Sequence, residues 1–197
     1  GPTWSPDGKQ IAYARIGKDD ADGIYVMSAD SGTSRRVYKP ARSDQFFFPS
    51  AWLPDNAGLL MTIQEIGGTK PKLMRLPLGD KEATATDLIP FLPSESNRMY
   101  ALLSNTGRAL AFMSDESGKN QVWIAELRPN GETGRPIMVK TLGMRDAGAR
   151  GYAWAPDGKS LYVIDERERL QKITVKLEPQ LAISAPVEVA DFEKLRI

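Results

Sequence analysis

The sequence predicts an all-β protein made of four similar four-stranded sheets. Three observations predict it: a marker motif at a near-fixed period, a two-residue apolar alternation in register with that marker, and no segment with a helical period. The marker reads Trp4-Ser5-Pro6-Asp7-Gly8-Lys9 in its first copy and Trp52-Leu53-Pro54-Asp55-Asn56-Ala57 in its second. A worn third copy is Leu103-Ser104-Asn105-Thr106-Gly107-Arg108, and the fourth, Trp154-Ala155-Pro156-Asp157-Gly158-Lys159, is nearly as clean as the first. The steps from Trp4 to Trp52, Leu103 and Trp154 are 48, 51 and 51 residues. A period of that size is the signature of a repeat architecture.

In the first repeat, Thr3-Trp4 is a short apolar segment running into the Pro6-Asp7-Gly8 turn. Proline presets φ, aspartate bonds back to the backbone, and glycine takes positive φ without a side-chain clash. A second strand is expected over Gln10 to Ile16, a third at Ile24 to Met27 after a polar loop, and a fourth at Arg36 to Tyr38. The other repeats keep the register. Seven residues after the marker stand Ile11, Leu59, Leu110 and Leu161; nine after it stand Tyr13, Met61, Phe112 and Val163. Period two places both positions on one buried face of the second strand. Third strands are expected at Leu73 to Leu76, Val122 to Ala125 and Leu170 to Val175, and fourth strands near Thr86 to Ile89, Ile137 to Lys140 and Pro186 to Val189. The repeats divide the chain at about 1–40, 41–90, 91–141 and 142–197. A four-stranded meander cannot bury both faces alone, and radial stacking of such sheets solves this as a β-propeller.

Composition limits the chemistry. The 197 residues are 41% hydrophobic and 26% charged with net charge +1, ordinary for a globular protein and without an electrostatic case for nucleic acid. No apolar stretch approaches the roughly 18 residues of a membrane span, so this segment is not expected to insert in a membrane. There is no cysteine and no histidine, which removes disulfides, thiolate nucleophiles, His-dependent triads and His- or Cys-ligated metals. No catalytic constellation, cofactor site or metal site is expected in these residues. The chain starts at Gly1 without a methionine and is in a repeat by Trp4, which points to a natural N-terminus lying upstream.

The segments Pro2 to Lys9, Ile11-Ala12-Tyr13 and Ile24 to Met27 resemble the TolB-type, WD-like propeller repeat of bacteria. Met113 to Gly118 leading into Val122-Trp123-Ile124 is similar to the C-terminal propeller of some bacterial eukaryotic-like serine/threonine kinases. The resemblance spans essentially the whole chain and is specific for fold; propellers host unrelated activities. It departs at Leu103 and Ser104-Asn105-Thr106, which are expected to loosen the third turn. The family usually closes with six or more blades, so the resemblance implies a part of a larger ring, with further blades from the rest of the chain or another subunit; the alternative is a closed four-bladed ring. An incomplete ring would expose two apolar blade faces. Together with the absence of cysteine, the resemblance implies a periplasmic or extracellular location, with a cytoplasmic one as the alternative.

Several residue groups are candidate sites. The Pro-Asp-Gly turns read as structural. Asp19, Asp20 and Asp22 between Gly17 and Gly23 suggest a calcium loop, but Lys18 stands where an oxygen ligand is needed, and a solvated hairpin loop is the better reading. Eight residues before the marker stand Asp44, Glu95 and Asp146, on loops expected at one mouth of the channel. They either converge on a cation, a basic group or a polyhydroxyl group, or each caps its own loop. Arg42, Arg98, Arg145 and Arg150 share these loops and make the mouth mixed in charge. In Phe46-Phe47-Phe48, one or two rings are expected to fill the gap between blades and one to face out. Asp115-Glu116 and Asp165-Glu166 lack the separation of an acid/base pair, and Asp165 to Arg169 reads as a solvated charged turn.

The function expected is a non-catalytic binding, sensing or scaffolding module for a protein, peptide or glycan partner within a larger bacterial protein. Alternatives are a structural subunit of a large assembly, and the substrate-gating propeller of a prolyl-oligopeptidase-like peptidase whose catalytic domain lies outside these residues.

Overall fold

The computed structural model describes residues 1–17, 21–42, 44–54, 56, 58–68, 70–141 and 151–194. They form four antiparallel sheets of β-propeller blade type; among the described residues the one helical element is a 3-10 turn at Ala85–Asp87. The chain divides into two compact units, Gly1–Ala101 and Leu102–Ile197.

The first blade is the meander β1 (Thr3–Trp4), β2 (Gln10–Arg15), β3 (Gly23–Ser28) and β4 (Ser34–Tyr38), paired in sequence order. The second is β5 (Gln45–Trp52), β6 (Gly58–Glu65), β7 (Lys72–Pro77) and β8 (Ile89–Pro90). The third is β9 (Arg98–Leu103), β10 (Ala109–Ser114), β11 (Gln121–Glu126) and β12 (Ile137–Met138). In the fourth, β13 (Tyr152–Trp154), β14 (Ser160–Ile164) and β15 (Arg169–Lys176) are followed by two short strands. These are β16 (Ala182–Ile183) and β17 (Val187–Asp191), which share the far edge of β15.

The register repeats with the sequence. Trp4 stands opposite Ile11, Trp52 opposite Leu59, and Trp154 opposite Leu161. All four turns close with the same backbone bond: from Gly8 to Ser5 at 2.9 Å, Asn56 to Leu53 at 3.0 Å, Gly107 to Ser104 at 2.8 Å and Gly158 to Ala155 at 2.9 Å. The donors have φ of 70°, 56°, 69° and 64°, the left-handed region that favours glycine and next asparagine. The aspartates act on the backbone: Asp7 accepts from the Lys9 N–H at 3.0 Å and Asp157 from the Lys159 N–H at 2.8 Å.

Four expectations are corrected. The third turn is not loosened: Ser104 Oγ accepts the Ala109 N–H at 3.1 Å as Ser5 Oγ accepts that of Gln10 at 2.9 Å, and Thr106 Oγ1 lies 3.0 Å from Ser104 Oγ. In the second repeat the expected fourth strand is instead the 3-10 turn, with Asp87 accepting the Thr84 N–H at 2.8 Å, and pairing resumes only at Ile89–Pro90. Aspartate here offers the backbone a local partner in place of the ladder. In the first blade Ile11 and Tyr13 are half-buried while Ala12 between them is buried, whereas their counterparts in the other blades are fully buried. Glu166 and Arg167 of the charged turn are exposed as expected, but Asp165 is 1% exposed and Arg169 half-buried, so its ends are not solvated; Arg169 donates to Asp165 from Nε at 3.0 Å and from its terminal nitrogen at 2.7 Å.

Blade packing in the first unit is one apolar cluster. Ala12, Val26 and Val37 of the first blade meet Trp52, Leu59, Met61 and Leu76 of the second, with Tyr38 edge-on to Phe47 at 6.0 Å. The marker tryptophan ties the blades together. Trp52 Nε1 donates to the Thr3 carbonyl at 3.0 Å, and in the second unit Trp154 Nε1 donates to the Leu102 carbonyl at 3.0 Å. Thr3 and Leu102 each precede the marker of the earlier blade, so one bond recurs at equivalent positions. A second tie follows β4: Ala83 donates to Val37 O and Lys39 to Ala83 O, both at 2.9 Å, and Arg36 pairs with Glu82 at 2.6 Å.

Candidate functional site

The loops before the innermost strands hold the candidate binding residues. Arg42 and Asp44 are brought together: Arg42 donates from Nε at 2.9 Å and from its terminal nitrogen at 2.6 Å to the two Asp44 oxygens. Bidentate pairing of this kind consumes the carboxylate inside its own loop. The Asp44 carboxylate raises the Arg42 pKa above its ordinary value, through hydrogen bonding first and charge second. The Asp44 carbonyl accepts the Ile66 N–H at 2.7 Å, which fixes the loop on the end of β6.

Glu95 is exposed, between Ser94 and a Ser96 whose N–H bonds back to the Ser94 hydroxyl at 3.0 Å. Arg98 differs from its expected place at a solvent mouth. It is buried, its backbone N–H bonds Pro71 O at 2.9 Å, and its guanidinium donates to Leu92 O at 2.8 Å. Leu92 has φ of 48°, so Arg98 secures a backbone corner that a leucine rarely adopts. Asp146, Arg145 and Arg150 lie outside the described residues, as do Asp19 and Asp20. Asp22 accepts the Gly17 N–H, closing its hairpin loop locally. Among the described residues no group of three or more Asp or Glu side chains could hold a metal. No helix of the described residues is long and apolar enough to cross a membrane.

The aromatic run divides by face. Phe47 is buried against Tyr38, Phe48 stacks on Tyr100 at 5.2 Å, and Phe46 is 55% exposed. Where the sequence reading expected two exposed apolar blade faces, one lies on the first blade, and on the fourth blade Lys172, Thr174 and Lys176 are exposed instead. Trp4, Ile11, Tyr13, Tyr25 and Met27 share one side of the sheet by register, and Tyr13 and Tyr25 stack at 5.7 Å. Trp4 is 60% exposed and the other four are half-buried. The signal was present in the marker itself, since a tryptophan at this register is buried in the second blade.

The four sheets, their register and the recurring marker turns define a β-propeller-type protein. Comparison with known proteins agrees at the level of fold. The chain is similar to TolB from Acinetobacter baumannii, with a TM-score of 0.60 and 19% identity over 96% of this chain and 43% of that one. It is also similar to a puromycin-hydrolysing peptidase from Mycobacterium tuberculosis, with a TM-score of 0.63 and 16% identity over 92% of this chain and 29% of that one. A curated relative, the uncharacterised peptidase YuxL of Bacillus subtilis, is 32% identical over 69 residues, which is 32% of this chain and 9% of that protein. No family model matches the chain. The chain thus spans less than half the length of these proteins.

Proposed function

We propose that this chain is a non-catalytic propeller module that binds a protein or peptide partner through its blade-entry loops, as part of a larger periplasmic or extracellular bacterial protein. The observation that carries the reading is the pairing of a blade fold throughout the described chain with blade-entry loops held at fixed geometry, one stapled by the Arg42–Asp44 pair and one presenting the exposed Glu95 carboxylate. Fixed charges on rigid blade ends suit recognition, because the scaffold positions them without ordering cost. The absence of histidine and cysteine from the sequence supports a binding role over a catalytic one. The TolB-type resemblance and the lack of cysteine support this location.

The test is binding to an immobilised peptide library at low and high salt, with hydrolysis of the same peptides followed by mass spectrometry. Saturable binding that weakens by about threefold to tenfold in Glu95→Lys, with intact peptides, is the expected result. Turnover of a peptide by this chain would overturn the non-catalytic reading.

The likeness to two peptidases favours a second reading, a propeller that gates substrate access to a hydrolase domain elsewhere in the polypeptide. A fluorophosphonate probe applied to the polypeptide purified from its source separates the two. Labelling at a serine outside these residues supports gating; an unlabelled polypeptide supports the binding module.

A further inference from the structure

Tyr100 stands on β9, the innermost strand of the third blade, with φ of 57°, in the left-handed region that a bulky side chain rarely adopts. The repeat does not call for an aromatic residue there. Three residues before the marker stand Pro49, Tyr100 and Gly151 in the second, third and fourth copies. Glycine would take the observed conformation without a side-chain clash. The conformation is held from the neighbouring sheet: the Tyr100 N–H donates to Thr62 Oγ1 at 3.2 Å, and Thr62 Oγ1 lies 3.2 Å from Ser50 Oγ. Backbone conformations of this kind persist where the surroundings fix them, and they cluster at ligand sites. Here the result is the placement of a ring. Tyr100 stacks on Phe48 at 5.2 Å with 20° between the planes, and both residues are half-buried. Phe48 pairs with Thr62 and Phe46 with Gln64, so Phe46 and Phe48 share one side of the second sheet. Phe46 is 55% exposed and lies on the entry-loop side of the stacked pair.

The charges at this end of the strands decide what such rings would receive. Arg42 is taken up by Asp44, and the Arg98 guanidinium by the Leu92 carbonyl. Glu95, five residues before Tyr100, keeps an exposed carboxylate with no ion pair among the described residues. Aromatic faces carry negative potential, and a carboxylate on the same side adds to it. We propose that Phe46, Phe48 and Tyr100 form the seat for a lysine or arginine side chain of a peptide partner, with Glu95 as its counter-charge. The alkyl stem runs along the exposed Phe46 ring, and the cationic head reaches the carboxylate. A sugar ring fits less well, because the stacked Phe48 and Tyr100 each cover one face of the other, and a sugar needs an open face ringed by hydrogen-bonding groups. This seat rests on the proposed peptide-binding role and names the side chain that such a partner presents.

Titration of the protein with acetylated trilysine amide tests it, with the ε-methylene protons of the peptide followed by NMR. Triarginine, trinorleucine and chitotriose serve as comparison probes. The expected result is saturable binding of trilysine and triarginine, with trinorleucine weaker by at least about tenfold. The ε-methylene protons should move upfield, the ring-current signature of a methylene over an aromatic face. Phe46→Ala should abolish that shift and weaken trilysine binding about threefold to tenfold, while Phe46→Tyr restores both. An unchanged urea midpoint in Phe46→Ala, whose ring is exposed, shows that the fold is intact. Glu95→Gln should weaken binding by about the same factor and leave the upfield shift of the saturated complex in place. Trinorleucine binding as tightly as trilysine, or a Phe46→Ala variant that keeps both affinity and shift, would overturn the seat and leave the peptide-binding role standing. Binding of chitotriose in preference to trilysine would overturn it in favour of a sugar. A protein that binds no peptide of any composition would overturn both the seat and the role on which it rests.

Discussion

Asp165 shows how one residue's environment sets its contribution. Burial pushes its pKa up, but hydrogen bonds from the Arg169 side chain and from the Arg169 and Arg167 N–H groups outweigh that and hold it below the ordinary value. A folded-state pKa below the unfolded value of about 3.9 means that the stabilisation is fully present above that pH. It is lost as the pH falls through the folded-state pKa. Asp165→Asn should therefore cost about 2 kcal/mol at pH 7, from weakened charge-assisted bonds, and flatten the stability profile below about pH 4. Urea titrations at pH 7 and pH 3.5 check both parts. Tyr38 makes the opposite prediction. Its ring is fully buried beside Phe47, its hydroxyl has no hydrogen-bond partner among the described residues, and burial raises its pKa. Removing an unpaired buried hydroxyl is neutral or favourable, so Tyr38→Phe should leave the urea midpoint unchanged or raise stability by up to about 1 kcal/mol. A loss above about 1 kcal/mol would show that the hydroxyl is bonded.

At the scale of elements, the marker turn allows a comparison within one molecule. Gly8 and Gly158 both have positive φ, but a Cβ on Gly8 would meet nothing within 4 Å. On Gly158 it would lie 2.9 Å from Thr106 Cγ2 and 3.2 Å from Thr106 N, where the third turn packs under the fourth and Asn105 donates to Pro156 O at 2.9 Å. Gly8→Ala should cost about 1 kcal/mol from backbone conformation alone. Gly158→Ala should cost roughly 1 kcal/mol more for the contact, partly recovered by Thr106→Ser. Thermal unfolding of the single and double variants separates the two terms. The worn third marker also gains a role here: Asn105 and Thr106 replace turn residues with contacts to the neighbouring turn. Trp52→Phe keeps most of the buried ring but loses the bond to Thr3, and should cost about 1–2 kcal/mol by the same assay.

At the scale of the molecule, blades are held by neighbours, and the ties differ in strength. The Arg36–Glu82 pair is partly exposed, so Glu82→Ala should change stability by less than about 1 kcal/mol. Ala83→Pro removes the N–H that bonds the Val37 carbonyl at the edge of β4 and should cost more, about 1–3 kcal/mol. Equal losses in chemical denaturation would mean that the ion pair, not the backbone bridge, holds that edge. The sequence by itself determined the four blades, the order of their strands and the position of every marker turn. Those features follow from local rules, namely turn chemistry at Pro6-Asp7-Gly8 and its copies, and period-two alternation at Leu59/Met61 and its equivalents. Only the tertiary structure decided which of Phe46, Phe47 and Phe48 faces out, that Asp165 and Arg98 are buried, and that Arg42 takes up Asp44. It also separated Trp4 from Trp52, two residues with the same motif and the same register. Burial belongs to a residue together with whatever packs against it, and a repeat cannot state in its own sequence whether a neighbour is there.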